Sequence, residues 1–284
     1  MIATDWQSHH FLKLLDDESP EIQKIIRSTL LNNSLEIILN GFIYDLPLEK
    51  QQLELLQRHL QVIHFDLVKH AFQTFLQSQL EDVDLEKSLL ILAYWADPTV
   101  KIPEVSSQLD RISEEIKAHL PGSGHPLSFI DHINFYLFDK YGFQGNSADY
   151  YNPNNNFLDK VLASNQGIPI TLSALYILIA QRLGMMLSGV PMPAHFIVKY
   201  EVDNDEIYID PYFSGKIYSR AECLNYLDQT GSSDKERILE GCSNYEVVLR
   251  IMRNIHLVYA SYKEDPKKTA EIEILMSLLE EHFK

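Results

Sequence analysis

The stretch that most constrains this chain is residues 167–211, GIPITLSALYILIAQRLGMMLSGVPMPAHFIVKYEVDNDEIYIDP. Pro169 suits the first position of a helix, where the N–H it lacks has no intrahelical partner anyway. The residues after it are apolar on nearly every side, and Gly184 stands where a C-terminal cap belongs. A helix apolar all round is buried in the middle of a domain. Two strands are expected next, over 194–202 and 206–210. A two-residue turn at Asp203-Asn204 pairs Val202 with Asp205, Tyr200 with Ile207 and Val198 with Ile209. That register gathers the apolar alternates on one face, and a slip of one residue scrambles it. It also puts His195 and Asp210 together on the other face, one diagonal step apart. Diagonal neighbours lie roughly 7–8 Å apart at Cα, within reach of an imidazole for a carboxylate.

Around this stretch the chain reads as helical. Ser19-Pro20 opens a helix with one apolar face of Ile22, Ile25, Ile26, Thr29 and Leu30. Further helices are expected from Leu35 to Phe42, after Pro47, and over 64–80, 85–95 and 105–120. Residues 85–95 are the most apolar of these and are expected to be central. Pro121-Gly122-Ser123-Gly124 reads as a linker. Helices return over 127–141, 157–163, 245–262 and 267–282, while 146–156 is a loop by its asparagines and tyrosines. The expected fold class is α+β, with a helical domain at 1–121, a core at 125–220 and a helical segment at 221–284.

Composition narrows the function. The net charge is −16, from 40 acidic against 24 basic residues, so phosphate backbones and anionic lipid are repelled. No nucleic-acid or membrane partner is expected. Two cysteines, Cys223 and Cys242, make no disulfide framework, and neither they nor the histidines show zinc spacing. No metal or cofactor is expected. The first ten residues lack a basic region followed by an apolar run, and residues 168–180 fall short of the ~20 that a membrane span needs. A cytoplasmic protein is expected.

Gly167, the helix ending in Arg182-Leu183-Gly184, His195 and Asp210-Pro211 together resemble the transglutaminase-like family. In that pattern a glycine, one further residue and then a cysteine start the helix; here Pro169 occupies the cysteine position. Gly142-Phe143-Gln144-Gly145-Asn146, YNPNNNFL at 151–158, GIPITLSALY at 167–176, His195-Phe196, Asp210-Pro211 and RIMRN at 250–254 resemble the SirB-type branch more closely. The resemblance spans roughly 140–255. It implies a cysteine-protease-like α+β core, a helix packed on a small antiparallel sheet. It carries over a histidine and an aspartate but no nucleophile, and the branch typically has proline at that position.

A cysteine triad needs an attacking thiolate, a histidine to hold the proton and a carboxylate to orient the ring. Pro169 supplies no attacking atom. Thr171 turns about 200° away from Pro169 around the helix axis, and Ser173 returns to the same face one turn deeper. Both hydroxyls are expected to bond backbone carbonyls inside a buried helix. Cys223 and Cys242 follow the hairpin without a helix-start context. The expectation is a non-catalytic module that binds a protein or peptide in the groove, with His195 and Asp210 as a remnant dyad. The alternative is a hydrolase or transamidase that uses Ser173 or Thr171 with that dyad. Arg253 and Asn254 are expected to tether the loop at 152–156, and Tyr150 to Asn156 to form an ordered loop or line the groove.

Overall fold

The computed structural model describes residues 9–41, 48–120, 125–202 and 205–284. The linker expected at 121–124, Phe42, Pro47, the Asp203-Asn204 turn and the first eight residues lie outside them.

Among the described residues, seven helices come first: α1 (His9–Leu12), α2 (Pro20–Asn32), α3 (Ser34–Asn40), α4 (Lys50–Val62), α5 (His64–Gln77), α6 (Leu85–Ala96) and α7 (Ile102–Ala118). As its composition predicts, α6 is buried along almost its whole length. Asp84 caps its first turn by accepting from the Lys87 N–H. Trp95, fully buried near its end, is a junction. Its Nε1 donates to Glu271 at 2.9 Å, and its ring lies near Phe157 and edge-on to Tyr259. Its carbonyl accepts from His64 Nε2 and from Lys268 Nζ.

After α8 (Pro126–Asn134) the helix widens into a π-helical turn over Phe135–Lys140, where sequence periodicity predicts one uninterrupted helix to 141. Two short strands, β1 (Gln144–Gly145) and β2 (Gln166–Gly167), pair in parallel. Between them lie a 3-10 turn, Pro153–Asn156, and α9 (Leu158–Ser164). Then comes α10 (Pro169–Arg182), with every residue from Pro169 to Ala180 buried. It ends in a Schellman motif: Met185 N–H donates to the Ala180 carbonyl and Gly184 N–H to that of Gln181, with Gly184 at φ +80°. Arg182 ties this end to α6 through Glu86 and to α7 through Asp110.

The sheet is an antiparallel meander of four strands: β3 (Leu187–Val190), β4 (Ile197–Val202), β5 (Asp205–Asp210) and β6 (Lys216–Tyr218). The register of β4 on β5 is the one the alternation predicts, Val198 with Ile209, Tyr200 with Ile207 and Val202 with Asp205. Two features differ from the sequence reading. The first strand starts at Ile197 rather than 194, because Ala194 turns into the left-handed region at φ +54°. The sheet also has two more strands than expected, since LSGV and KIY carry too little alternation to stand out.

One face of the sheet, with Phe196, Val198, Ile207 and Ile209, joins the main core around α10. The other carries Val190, Ile197 and Tyr208 against Cys223, Leu227 and Leu239 of α11 (Arg220–Gln229) and α12 (Lys235–Glu240). The last helices, α13 (Asn244–Ser261) and α14 (Pro266–His282), form a hairpin that packs on α6 and α5, so both helical ends of the chain meet. The molecule is thus mostly helical, with a small antiparallel sheet in the middle. Among the described residues no helix is long and apolar enough to cross a membrane.

Candidate functional site

The start of α10 and the turn before β4 face each other across a cleft. His195 Nε2 lies 2.7 Å from Asp210 Oδ2. Asp210 is buried, and its other oxygen accepts from the N–H groups of Tyr212 and Phe213, the 3-10 turn that follows β5. One carboxylate therefore both caps the turn and orients the imidazole. With Nε2 engaged by Asp210, Nδ1 is the nitrogen left for the cleft. The rings of Tyr212 and Phe213 flank the histidine at 5.9 and 5.7 Å. His195 and Asp210 meet as the sequence suggests, although the histidine is held by the turn ahead of β4 and not by strand alternation.

That turn is braced by a residue that the sequence marks only as the start of RIMRN, with no role of its own. Arg250 Nη2 donates to the carbonyls of His195 (2.8 Å) and Met192 (3.1 Å), and its guanidinium stacks on Phe196. Burial lowers its pKa from the ordinary arginine value. Arg253, expected as a tether, instead points to the surface and reaches Glu280 of α14. The two arginines differ in helix phase: Arg250 precedes Asn254 by four residues and shares its side, whereas Arg253 falls near exposed Leu257. That i,i+4 relation was the available signal.

The asparagine-rich loop is ordered by its own side chains. Asn155 donates to the carbonyls of Asp149 and Tyr150 and accepts from Asn146, which fixes Tyr150 over the cleft. Gly145 sits where a Cβ would lie 2.5 Å from the Tyr212 ring, so only glycine lets the backbone approach so closely. Asn134 donates to the Gly215 carbonyl and accepts from the Tyr176 hydroxyl, joining α8, α10 and the turn after Phe213.

Two cavities meet at Ala194 and His195. The smaller, about 110 Å³, is bounded by Tyr150, Pro169, Ile170, Arg250 and Asn254. The larger, about 440 Å³, opens towards α11 between Met192, Phe213, Tyr218 and Tyr226. Pro169 thus lies against the same small cavity as His195. Thr171 and Ser173 are both fully buried. Ser173 Oγ is 3.4 Å from the Phe196 carbonyl, a bond across to the neighbouring segment and not within its own helix, and Thr171 Oγ1 has no hydrogen-bond partner among the described residues. Cys223 lines the larger cavity, but burial pushes its thiol up to about 12, and burial does the same to Cys242. Neither is a thiolate near neutral pH. Among the described residues no group of three or more His, Cys, Asp or Glu side chains is placed to hold a metal ion.

An apolar helix packed on an antiparallel sheet, its first turn facing a His–Asp pair, defines an α+β cleft protein. Residues 103–253, more than half of the chain, match the family described as Transglutaminase-like superfamily, and the chain belongs to it. It is 36% identical over 135 residues to a UPF0162 protein of Xylella fastidiosa, covering 45% of this chain and 48% of that one. To the F-box only protein 21 of Homo sapiens it is 32% identical over 181 residues, 54% of this chain and 28% of the relative. A UPF0162 protein of Vibrio cholerae is 25% identical over 139 residues, 49% and 51% of the two chains. The chain thus spans about half or less of the length of these curated relatives. No solved structure matches it.

Proposed function

We propose that this is a non-catalytic transglutaminase-like protein of the SirB-type branch, a cytoplasmic module that binds a protein or peptide in its cleft. In this reading Pro169 stands where catalytic members carry the cysteine, His195 and Asp210 are a remnant dyad, and residues 1–121 and 221–284 support the 125–220 core. The observation that carries it is Pro169 itself, which borders the His195 cavity and has no atom able to attack. The burial of Thr171 and Ser173 supports the same reading against a hydrolase or transamidase, because a nucleophile must meet its substrate.

Labelling with a fluorophosphonate and a panel of broad electrophiles, on the wild type and on His195→Ala, tests the reading. No labelling that depends on His195 is expected. Modification of Ser173 or Thr171 that disappears in His195→Ala would overturn it. A photo-crosslinking residue placed at the exposed Phe213 rim tests the binding half, with capture expected to fall when Met192→Arg fills the larger cavity.

A further inference from the structure

Among the described residues, no acidic side chain answers the charge of Arg250, although the protein has 40 acidic residues to supply one. Its bonding is also asymmetric. Nη2 gives its hydrogens to two carbonyls and the guanidinium face lies on Phe196, while Nη1 and Nε have no protein partner. Arg250 borders the small cavity together with the Asn254 side chain and Tyr150. Burial raises the Tyr150 phenol, so it keeps its O–H as a donor. A half-buried guanidinium with free donors in a partly desolvated recess favours an anion strongly, because the low local dielectric strengthens the pairing.

Shape narrows the anion. A side-chain carboxylate reaches a small recess at the end of its own methylenes, whereas the α-carboxylate of a chain end brings a branched carbon and a peptide group in with it. We propose that this notch takes the carboxylate of one Asp or Glu side chain on a bound peptide, with Arg250 as its counter-charge and Asn254 and Tyr150 beside it. The proposal rests on the binding reading above and names the chemistry of what enters the cleft. Because the chain is strongly negative overall, the acidic residue belongs to a segment otherwise neutral or basic.

The test uses the full-length protein, with Arg250 Nε–H and the Asn254 side-chain amide followed by NMR. Three probes are titrated: N-acetyl-Gly-Glu-Gly-amide, its Gln counterpart, and N-acetyl-Gly-Gly-Gly with a free carboxylate. The Glu peptide is expected to shift both signals saturably, and the Gln peptide to bind about tenfold or more weakly, the loss expected for one charged hydrogen-bonded contact. Asn254→Leu, which is nearly isosteric and removes the amide from the notch but leaves the Arg250 bonds to the turn in place, is expected to weaken the Glu shift at Arg250 without lowering Tm. Equal binding of the Glu and Gln peptides, or unmoved Arg250 signals, would overturn the assignment. A free-carboxylate peptide that binds as tightly as the Glu peptide would overturn the side-chain assignment in favour of a chain end. None of these outcomes depends on covalent labelling at His195, so failure here is separable from failure of the non-catalytic reading.

Discussion

The helical layer around α6 and the cleft around α10 are held together by different means. In the layer, regular helices bury apolar faces, and Trp95 closes the seam. Around the cleft the backbone departs from regular geometry. Asn165, Ala194 and Ser214 all take positive φ, and the helix before β1 widens into a π turn. Backbone groups freed in this way need other partners. Polar side chains supply them: Asn165 donates to the Tyr141 carbonyl, Asn134 to that of Gly215, Arg250 to those of Met192 and His195, and Asp210 accepts from two N–H groups. The layer is therefore a matter of volume, whereas the cleft is one of specific bonds.

If that contrast holds, the largest loss comes from emptying the layer. Trp95→Ala should cost about 3–5 kcal/mol in urea unfolding, since it opens a cavity and strips Glu271 of its indole donor. In the cleft, Arg250→Met should cost about 1–3 kcal/mol by the same measurement, from two carbonyls left bare. It should also broaden the His195 ring resonances, which Trp95→Ala should not do at matched stability. Equal broadening in both variants would erase the distinction between the regions.

Acid probes the seam between them, where Lys160 of α9 bridges to Asp97 at the end of α6. Burial on its own would raise the Asp97 pKa, but the bonds from Lys160 and Thr99 overcome it and hold the group at about 2, below its ordinary 3.8. A carboxylate depressed in the folded state contributes stability above its unfolded pKa and loses it as pH falls towards the folded one. Stability should therefore drop between about pH 4 and pH 2, and Lys160→Met should flatten that part of the curve.

One substitution made in both regions gives opposite signs. Ala93→Gly, inside α6, should lose about 1 kcal/mol. Ala194→Gly should gain up to about 1 kcal/mol by relieving the left-handed alanine. Thermal melts of the pair decide it. Smallest of all, Arg253→Ala should change stability by less than about 0.5 kcal/mol, because its pair with Glu280 is exposed. A larger loss would restore the tether role to Arg253.

The sequence made the layer readable because helical periodicity is a property of each segment alone. The burial of α6 and α10 and the register of β4 on β5 all follow from local pattern. What local pattern misses is what depends on distant partners. β3 and β6 exist because β4 and β5 are there to receive them. Arg250 looks like any charged residue in a helix until the turn at 192–195 arrives against it. Arg253 attracted attention for the same surface reason and turned out to be on the wrong side of the helix.

The Trp95 junction also has an optical consequence. The chain has two tryptophans, and with Trp6→Phe the remaining one would be an indole sealed between α6, α13, α14 and the 3-10 turn below the cleft loop. Its emission would be blue-shifted and shielded from a soluble quencher such as acrylamide while that seam is shut, and would redden when it opens. The molecule thus carries a built-in light meter at the joint between its two regions, one that reads their separation without any attached dye.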